Sequence, residues 1–152
     1  MHSKIIELSK NPVEERVREN QFYDGFSGWI ADSVADVDED VRDSVISYFK
    51  EGLSSSYSDL VAIGEETVTF KEGFKDAYAA KMLECLNEAV SKADIKSIRN
   101  GMTRYHIEKI LGDPFGFYIY EDGCLFIENC WLTQNLEEGA PYYFGGVVDY
   151  HY

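Results

Sequence analysis

Apolar side chains recur at helical spacing through the first third of the chain. Asn11 and Pro12 suit the cap and the first position of a helix, and Glu14 stands where a capping box places an acid. The spacing of apolar residues after this start predicts a helix that Gly25 and Gly28 divide into two pieces. The apolar positions that carry this pattern are Phe22, Phe26, Trp29, Ile30, Val34 and Val37.

Two more helices and a short strand are expected in the middle of the chain. Asp38 is a cap for a helix that ends near Gly52, and the serines at 54–56 read as a loop. Thr67–Phe70 alternates polar and apolar residues, as a short strand does. Residues 71–93 have one apolar face and give the clearest helical pattern in the chain. That face consists of Phe74, Tyr78, Met82, Cys85, Leu86, Ala89 and Val90.

A short helix capped by Thr103 and ended by Gly112 precedes a change from helical to extended periodicity. Segments 115–121 and 124–132 flank Asp122 and Gly123, a dipeptide typical of a two-residue hairpin. Because residues 124–127 are apolar on both faces, they predict the central strand, and residues 142–150 supply a third strand.

These elements predict one α+β domain over residues 1–152. Its helical N-terminal two-thirds, with helices at about 3–52 and 71–111, would pack on a C-terminal three-stranded antiparallel meander at about 115–150. A chain of this length can bury enough surface to fold without disulfides or metals.

The short helix also resembles the turn that carries a Gly-Met-Thr motif in the BamE family of small outer-membrane assembly lipoproteins. That resemblance implies two helices followed by a three-stranded meander. β-Lactamase inhibitory proteins are built on similar units, so it also implies a binding or adaptor module. The lipoprotein signal and lipidated cysteine of the family are absent. The residues that carry the resemblance are Ile98, Arg99, Asn100, Gly101, Met102, Thr103, Ile107, Leu111, Gly112 and Pro114.

The balance of acidic and basic residues indicates which classes of partner the protein can bind. The chain has 28 acidic residues against 14 Lys and Arg, a net charge of -14 and a pI near 4.5. Direct binding to nucleic acid or to an anionic membrane is not expected, because each requires clustered Lys and Arg. A basic protein partner is electrostatically favoured. The absence of a signal peptide or a long apolar stretch makes the cytoplasm the expected location.

Catalytic and metal-binding patterns are sparse. No paired ligand spacing joins His106 to a cysteine, so neither a metal nor a cofactor is expected. Cys124 and Cys130 are expected on one strand, too far apart for a disulfide. Either could be reactive, whereas Cys85 reads as a core residue. Glu128 is the acid to inspect, because it is expected inside the most apolar strand.

Acids and aromatic residues together mark the expected contact surface. Residues 19–41 and 110–152 each contain seven acids and no Lys or Arg, and the second range contains half of the aromatic residues. Tyr and Trp give rigid contact area at an interface. The residues expected to contact a partner are Asp32, Asp36, Asp38, Glu39, Asp40, Asp43, Glu121, Asp122, Trp131, Glu137, Glu138, Tyr142 and Tyr143.

The leading hypothesis is a non-enzymatic acidic protein that blocks a basic protein partner. The partner would be a nuclease, a restriction or CRISPR effector, or a toxin, and the protein an immunity or anti-defence inhibitor that mimics DNA charge. One alternative is an enzyme of unrecognised type, with Glu128, a tyrosine and a cysteine or His106 around a pocket on the C-terminal sheet. Another is a structural or adaptor domain of the BamE-like kind. The oligomeric state is left open by the sequence.

Overall fold

The structure, a computed structural model, describes residues 2–22 and 31–152. Within them lie seven strands and five α-helices, with a 3-10 turn at Glu19–Phe22 and a π-helical turn at Trp131–Asn135. The strands are β1 (His2–Ser9), β2 (Ser33–Asp36), β3 (Val61–Ile63), β4 (Thr67–Phe70), β5 (Tyr118–Glu121), β6 (Cys124–Ile127) and β7 (Pro141–His151). The helices are α1 (Glu39–Tyr57), α2 (Phe74–Ser91), α3 (Ile95–Arg99), α4 (Met102–Gly112) and α5 (Glu128–Cys130).

All seven strands belong to one mixed sheet. Its main order is β3-β4-β7-β1-β5-β6, and β2 also pairs with β7. β7 is antiparallel to β1, β2 and β4, whereas β1 and β5 are parallel. The first and last strands of the chain therefore lie side by side at the centre of the sheet.

The sheet is buried on both faces. The larger core joins the sheet to α1, α2 and the π-helical turn, and includes Ile6 and Leu8 of β1. The smaller core contains Ile5 of β1 and is closed by Val17 and Phe22 from the segment that follows β1. Because β1 is covered on both sides, its sequence shows an apolar pair and not a strict alternation.

The partner strands β4 and β2 leave a gap along one edge of β7. β4 pairs with β7 up to Tyr143, and β2 pairs with it from Val148 onward. Beside these residues of β7, the Glu7 carboxylate of β1 accepts hydrogen bonds from the backbone N–H groups of Val17 at 2.8 Å and Gly146 at 2.6 Å. A Cβ atom at Gly146 would lie 2.5 Å from the Val17 carbonyl oxygen, so glycine is required here.

The expected helical two-thirds on a three-stranded meander is wrong, because the molecule is built mainly on a seven-stranded mixed sheet. The N-terminal residues His2–Ser9 form an interior strand and not the start of a helix. β1 also lies between β7 and β5, so the C-terminal strands do not form a meander. The arrangement implied by the BamE-like motif is therefore not present. Long-range pairing of the two chain ends carries no local sequence signal.

Several element assignments also need correction. Residues 11–18 contain no helix, and the predicted apolar positions 26, 29 and 30 lie outside the described residues. α1 continues through Gly52 and the serines at 54–56 to Tyr57, because its buried face extends to Leu53. The run 124–127 is an edge strand and not the central one. Cys130 lies in α5, so it does not share a strand with Cys124.

Other local predictions are confirmed. The Asp38 side chain caps α1 by accepting a hydrogen bond from the backbone N–H of Val41 at 2.9 Å. β4 and α2 form where alternation and helical periodicity predicted them, although α2 begins only at Phe74. β5 and β6 form the expected hairpin, in which Asp122 and Gly123 both have positive φ. These features depend on neighbouring residues, which explains why sequence patterns find them.

Candidate functional site

Arg42 occupies the gap between β4 and β2. Although Arg42 is positively charged and lies in the first turns of α1, its side chain is only 4% exposed. The guanidinium donates from Nε to the Gly145 carbonyl at 2.8 Å and from Nη2 to the Phe144 carbonyl at 3.2 Å. Both carbonyls lie where β7 has no partner strand on this side. Arg42 therefore supplies the donors that a continuous strand would have provided.

Acidic side chains surround this buried cation. Arg42 contacts Glu39 at 3.5 Å, Asp43 at 2.9 Å and, from the β3–β4 turn, Glu66 at 3.0 Å. The three carboxylate side chains are between 58% and 62% exposed, so they remain accessible to solvent. Arg16 pairs with Glu39 at 2.7 Å, and this hydrogen bond holds the pKa of Glu39 below its ordinary value.

Five of the predicted contact residues belong to this region, which we call the acidic cluster. It comprises Asp36, Asp38, Glu39, Asp40, Asp43 and Glu66, with Arg16, Arg18 and Arg42 between them. Asp36 pairs with Arg18 at 3.3 Å, and Asp40 is exposed without a hydrogen bond or ion pair to any described residue. Six acids against three arginines leave the cluster with an excess of negative charge. Asp32 is exposed at the end of β2 and bonds to His151 at 3.2 Å.

Arg42 and Glu66 are members of the cluster that the sequence reasoning missed. A signal for Arg42 was present, since it shares helical spacing with Ile46, Phe49 and Leu53 on the buried face of α1. An arginine on an apolar face predicts a buried cation that needs acceptors. Glu66 has no comparable signal, because it approaches only through the folding of β3 and β4.

Three of the C-terminal contact candidates lie in the protein core. Trp131 and Tyr142 are fully buried, with ring centroids 5.0 Å apart. Glu121 is 9% exposed, and its carboxylate accepts a hydrogen bond from the Trp131 Nε1–H at 2.7 Å. A partner could reach these side chains only if the core opened, so their role is to stabilise the fold.

The remaining C-terminal candidates do not gather at one place. Asp122 is exposed at the β5–β6 turn, and Tyr143 is half-buried on β7. Glu137 pairs with Lys10, which lowers the pKa of this carboxyl. Glu138 accepts hydrogen bonds from the backbone N–H groups of Gly73 and Lys75 at the start of α2, which lower its pKa as well. The structure brings together the first group of acids, around α1, more closely than this second group.

Glu128 lies in an aromatic groove between α1, α2 and α5. The groove has a volume of about 440 Å³ and is lined by Tyr48 and Tyr57 of α1, Tyr78 of α2, and Phe117. Burial raises the pKa of the Glu128 carboxyl to about 7. Among the described residues, none donates a hydrogen bond to this carboxyl or forms an ion pair with it.

The cysteine and histidine candidates are placed elsewhere. Cys85 and His106 line a separate groove between α2 and α4, with a volume of about 550 Å³. Cys124 is exposed on the edge strand β6, and all three cysteines are free thiols. No group of three potential metal ligands occurs within the described ranges 2–22 and 31–152. Glu128 and His106, two residues of the proposed enzyme alternative, therefore lie in different grooves.

Comparison with known proteins leaves the function to be argued from this geometry. Of the helices that the structure describes, none combines the length and the apolar character needed to cross a membrane. No family model matches the chain, and neither a curated protein nor a solved structure is significantly similar to it.

Proposed function

We propose that this protein is a non-enzymatic binding protein that blocks the basic surface of a protein partner. The partner class that fits its charge is a protein that handles nucleic acid, such as a nuclease or a restriction or CRISPR effector. The groove of such a partner carries Lys and Arg for phosphate, and exposed carboxylates can occupy the same positions. In this proposal, the acidic cluster around α1 makes the first electrostatic contact.

The uneven distribution of charge along the chain supports this proposal. Residues 75–117 contain seven Lys and Arg and six Asp and Glu, whereas the other 109 residues contain seven and 22. The net negative charge thus belongs to the part of the chain that includes α1 and all seven described strands, whereas residues 75–117 are close to neutral. Acidity needed only for solubility does not require such a separation.

The cluster has properties that suit binding. Its carboxylates are fixed at one end of α1 by the cap at Asp38 and by the arginines, so little side-chain entropy is lost when a partner binds. They remain largely exposed, so long-range attraction can accelerate association with a basic protein. Asp40 has no ion pair of its own with a described residue, so its charge is available to a cation of the partner.

Neutralising the cluster is expected to weaken partner binding. The variant Glu39→Gln/Asp40→Asn/Asp43→Asn removes three negative charges while retaining side-chain size. Affinity should fall about tenfold, at roughly 0.5 kcal/mol for each exposed pair. The partner would first be identified by capture on the tagged protein from its native cells. Binding of the purified partner would then be measured by calorimetry at low and high salt, and wild-type affinity should fall as salt rises.

A matched control separates position from total charge. Glu84→Gln/Glu88→Gln/Glu108→Gln removes the same charge from α2 and α4, where these acids pair with Lys81, Lys92 and Arg104. This control should retain wild-type affinity. Equal loss in both variants would assign the effect to net charge alone. Affinity independent of salt and of both variants would reject the proposal.

A further inference from the structure

The aromatic groove around Glu128 has the composition of a site for a single cation. Its wall contains three tyrosines and two phenylalanines, and among the described residues no Lys, Arg or His lines it. Electron-rich rings attract ammonium and guanidinium groups, and a carboxylate adds the formal counter-charge. A carboxylate left in this position without a cation is costly, because burial removes its hydration.

Contacts of the lining residues with one another and with neighbouring residues fix the walls of the groove. The Tyr78 hydroxyl donates to Asn129 Oδ1 at 2.5 Å, and Asn129 Nδ2 donates to the Ile110 carbonyl at 2.8 Å. The Tyr48 and Phe117 rings meet edge-to-face with centroids 6.2 Å apart. These contacts join α5 to α2 and α4, and α1 to the segment before β5, so the walls of the groove are in place before a ligand binds.

We propose that the Glu128 groove binds a primary ammonium or guanidinium group. Under the function proposed above, this group is a Lys or Arg side chain that the basic partner inserts as an anchor. The tyrosines would surround the cation while the Glu128 carboxylate accepts its hydrogen bonds. The acidic cluster would then increase the rate of encounter, and the anchored side chain would slow release.

Binding of a cation should be coupled to the protonation of Glu128. A cation favours the charged carboxylate, so it should lower the pKa of Glu128 from about 7 by about 1 pH unit, equivalent to about tenfold in affinity. Affinity should rise as pH increases through 7 and then level off. The other titratable groups that line the groove are Tyr48, Tyr57 and Tyr78. Burial raises the pKa of Tyr57 and of Tyr78 above the ordinary value for tyrosine, so neither contributes to a change near pH 7.

The experiment uses methylguanidinium and n-butylammonium as probes, with methylurea and n-butanol as neutral counterparts. Carbon-13 NMR would follow the Glu128 carboxyl during a pH titration with and without each probe. The cations should lower its pKa and bind in a saturable way, whereas the neutral compounds should not. Equal effects of charged and neutral probes, or no saturable effect of either cation, would overturn the site.

Two variants test the role of the carboxyl. Glu128→Gln should weaken binding of both cationic probes about tenfold, whereas Asp122→Asn removes an exposed charge at the β5–β6 turn and should not. Glu128→Gln should fold at least as stably as wild type above pH 7. The reason is that the raised folded pKa makes ionisation of Glu128 unfavourable to the folded state as pH increases from about 4.5 through 7. Unchanged probe binding in Glu128→Gln would reject the proposal.

The purified partner distinguishes the anchor from the proposed function. If Glu128→Gln weakens binding of both the partner and the probes, the anchor is supported. If it weakens binding of the probes only, the groove binds a free amine, and the proposal that the partner inserts a side chain there is wrong. The acidic-cluster proposal then stands. If the cluster variant retains partner affinity but Glu128→Gln loses probe binding, the groove stands and the acidic-cluster proposal fails.

A second, independent feature is an apolar helical surface without a partner in the fold. Within residues 75–117, no side chain is buried. Leu83 and Val90 of α2 are each 59% exposed, and Ile95 and Ile98 of α3 are 77% and 63% exposed. Exposed apolar area of this extent is typical of an interaction surface.

α2 has two apolar stripes, where the sequence predicted one face. Its inner stripe includes Tyr78, which bonds to α5, and Cys85 and Ala89, which face α4. Its outer stripe has spacings of four, three and four residues, as in the seam of a coiled coil. The members of the outer stripe are Ala79, Leu83, Leu86 and Val90.

We infer that the outer stripe of α2 packs against the same stripe of a second copy of the protein. The charge distribution favours this occupant, because two copies repel strongly everywhere except through residues 75–117, which are close to neutral. The flanks of the stripe carry both signs in the pairs Lys81–Glu84 and Lys92–Glu88. A two-fold axis would bring identical stripes together without opposing like charges throughout.

Sedimentation equilibrium over a range of concentrations tests this dimer. Wild type should dimerise, and Leu83→Lys/Val90→Lys should be monomeric with an unchanged circular dichroism spectrum. Leu111→Lys is the matched control, because Leu111 is 53% exposed on α4 outside the stripe, and it should dimerise as wild type does. A wild-type monomer at the highest soluble concentration, or a dimer that survives the double substitution, would reject the inference.

Discussion

Replacing Arg42 by methionine is expected to lower the free energy of unfolding by about 3 kcal/mol. Methionine retains the apolar part of the side chain but leaves the Phe144 and Gly145 carbonyls without their donor, at about 1–3 kcal/mol for each buried group. The lost ion pairs should add little, because their carboxylates are largely exposed. Urea unfolding followed by circular dichroism measures the change.

Two other arginine variants show whether the buried hydrogen bonds matter. Arg18→Met removes a 70% exposed cation from the same cluster and should cost less than about 1 kcal/mol. Arg42→Lys keeps the charge but cannot match the fixed fork of donors, so its stability should fall between those of wild type and Arg42→Met. Equal stability of Arg18→Met and Arg42→Met would contradict a structural role for the guanidinium at the gap in the sheet.

Replacing Trp131 by alanine is expected to destabilise the protein by about 3–5 kcal/mol. The indole is fully buried, with its ring centroid 5.8 Å from Phe70 and 5.0 Å from Tyr142. Its removal leaves a cavity in the core between the sheet and the helices, and it also removes the donor to Glu121. Thermal and urea unfolding should both record the loss.

Milder variants separate stability from partner contact. Trp131→Phe retains a ring but loses the Nε1–H donor to Glu121, so it should cost about 1–3 kcal/mol and leave partner affinity unchanged. Phe115→Ala is a surface control, because Phe115 is 44% exposed and stacks on Tyr152, and it should cost less than about 1 kcal/mol. A folded Trp131→Phe protein with reduced partner affinity would show that Trp131 contributes to partner binding and not only to stability.

Together these predictions divide the originally expected contact residues by role. Trp131, Tyr142 and Glu121 stabilise the core, whereas Asp40 and its neighbours on α1 present charge to solvent. Composition alone could not make this division, because tyrosine, tryptophan and acids occur both inside and outside proteins. The residues now proposed for binding are those that the fold leaves both charged and accessible.

The candidate site could be predicted in part from the sequence. The acids at the start of α1 are neighbours in the chain, so their proximity follows from the helix that Asp38 caps. Glu128 was identified for inspection, but it was expected in an apolar strand and lies in α5 instead. The groove around it combines side chains of α1 and α2 with Phe117, and no local pattern predicts that meeting.

The sequence by itself determined the acidity, the α+β composition and the elements that depend on local interactions. The Asp38 cap, the Asp122–Gly123 turn and the periodicity of α2 fall in this group, because their determinants lie within a few residues of one another. Only the tertiary structure decided that β1 lies beside β7, that Arg42 fills the gap in the sheet, and that Glu128 lies among tyrosines. These features join residues distant in the chain. The helical spacing of Arg42 indicates that its side chain is buried, but no local pattern predicts which groups from other elements it or Glu128 meets, or which strand pairs with β1.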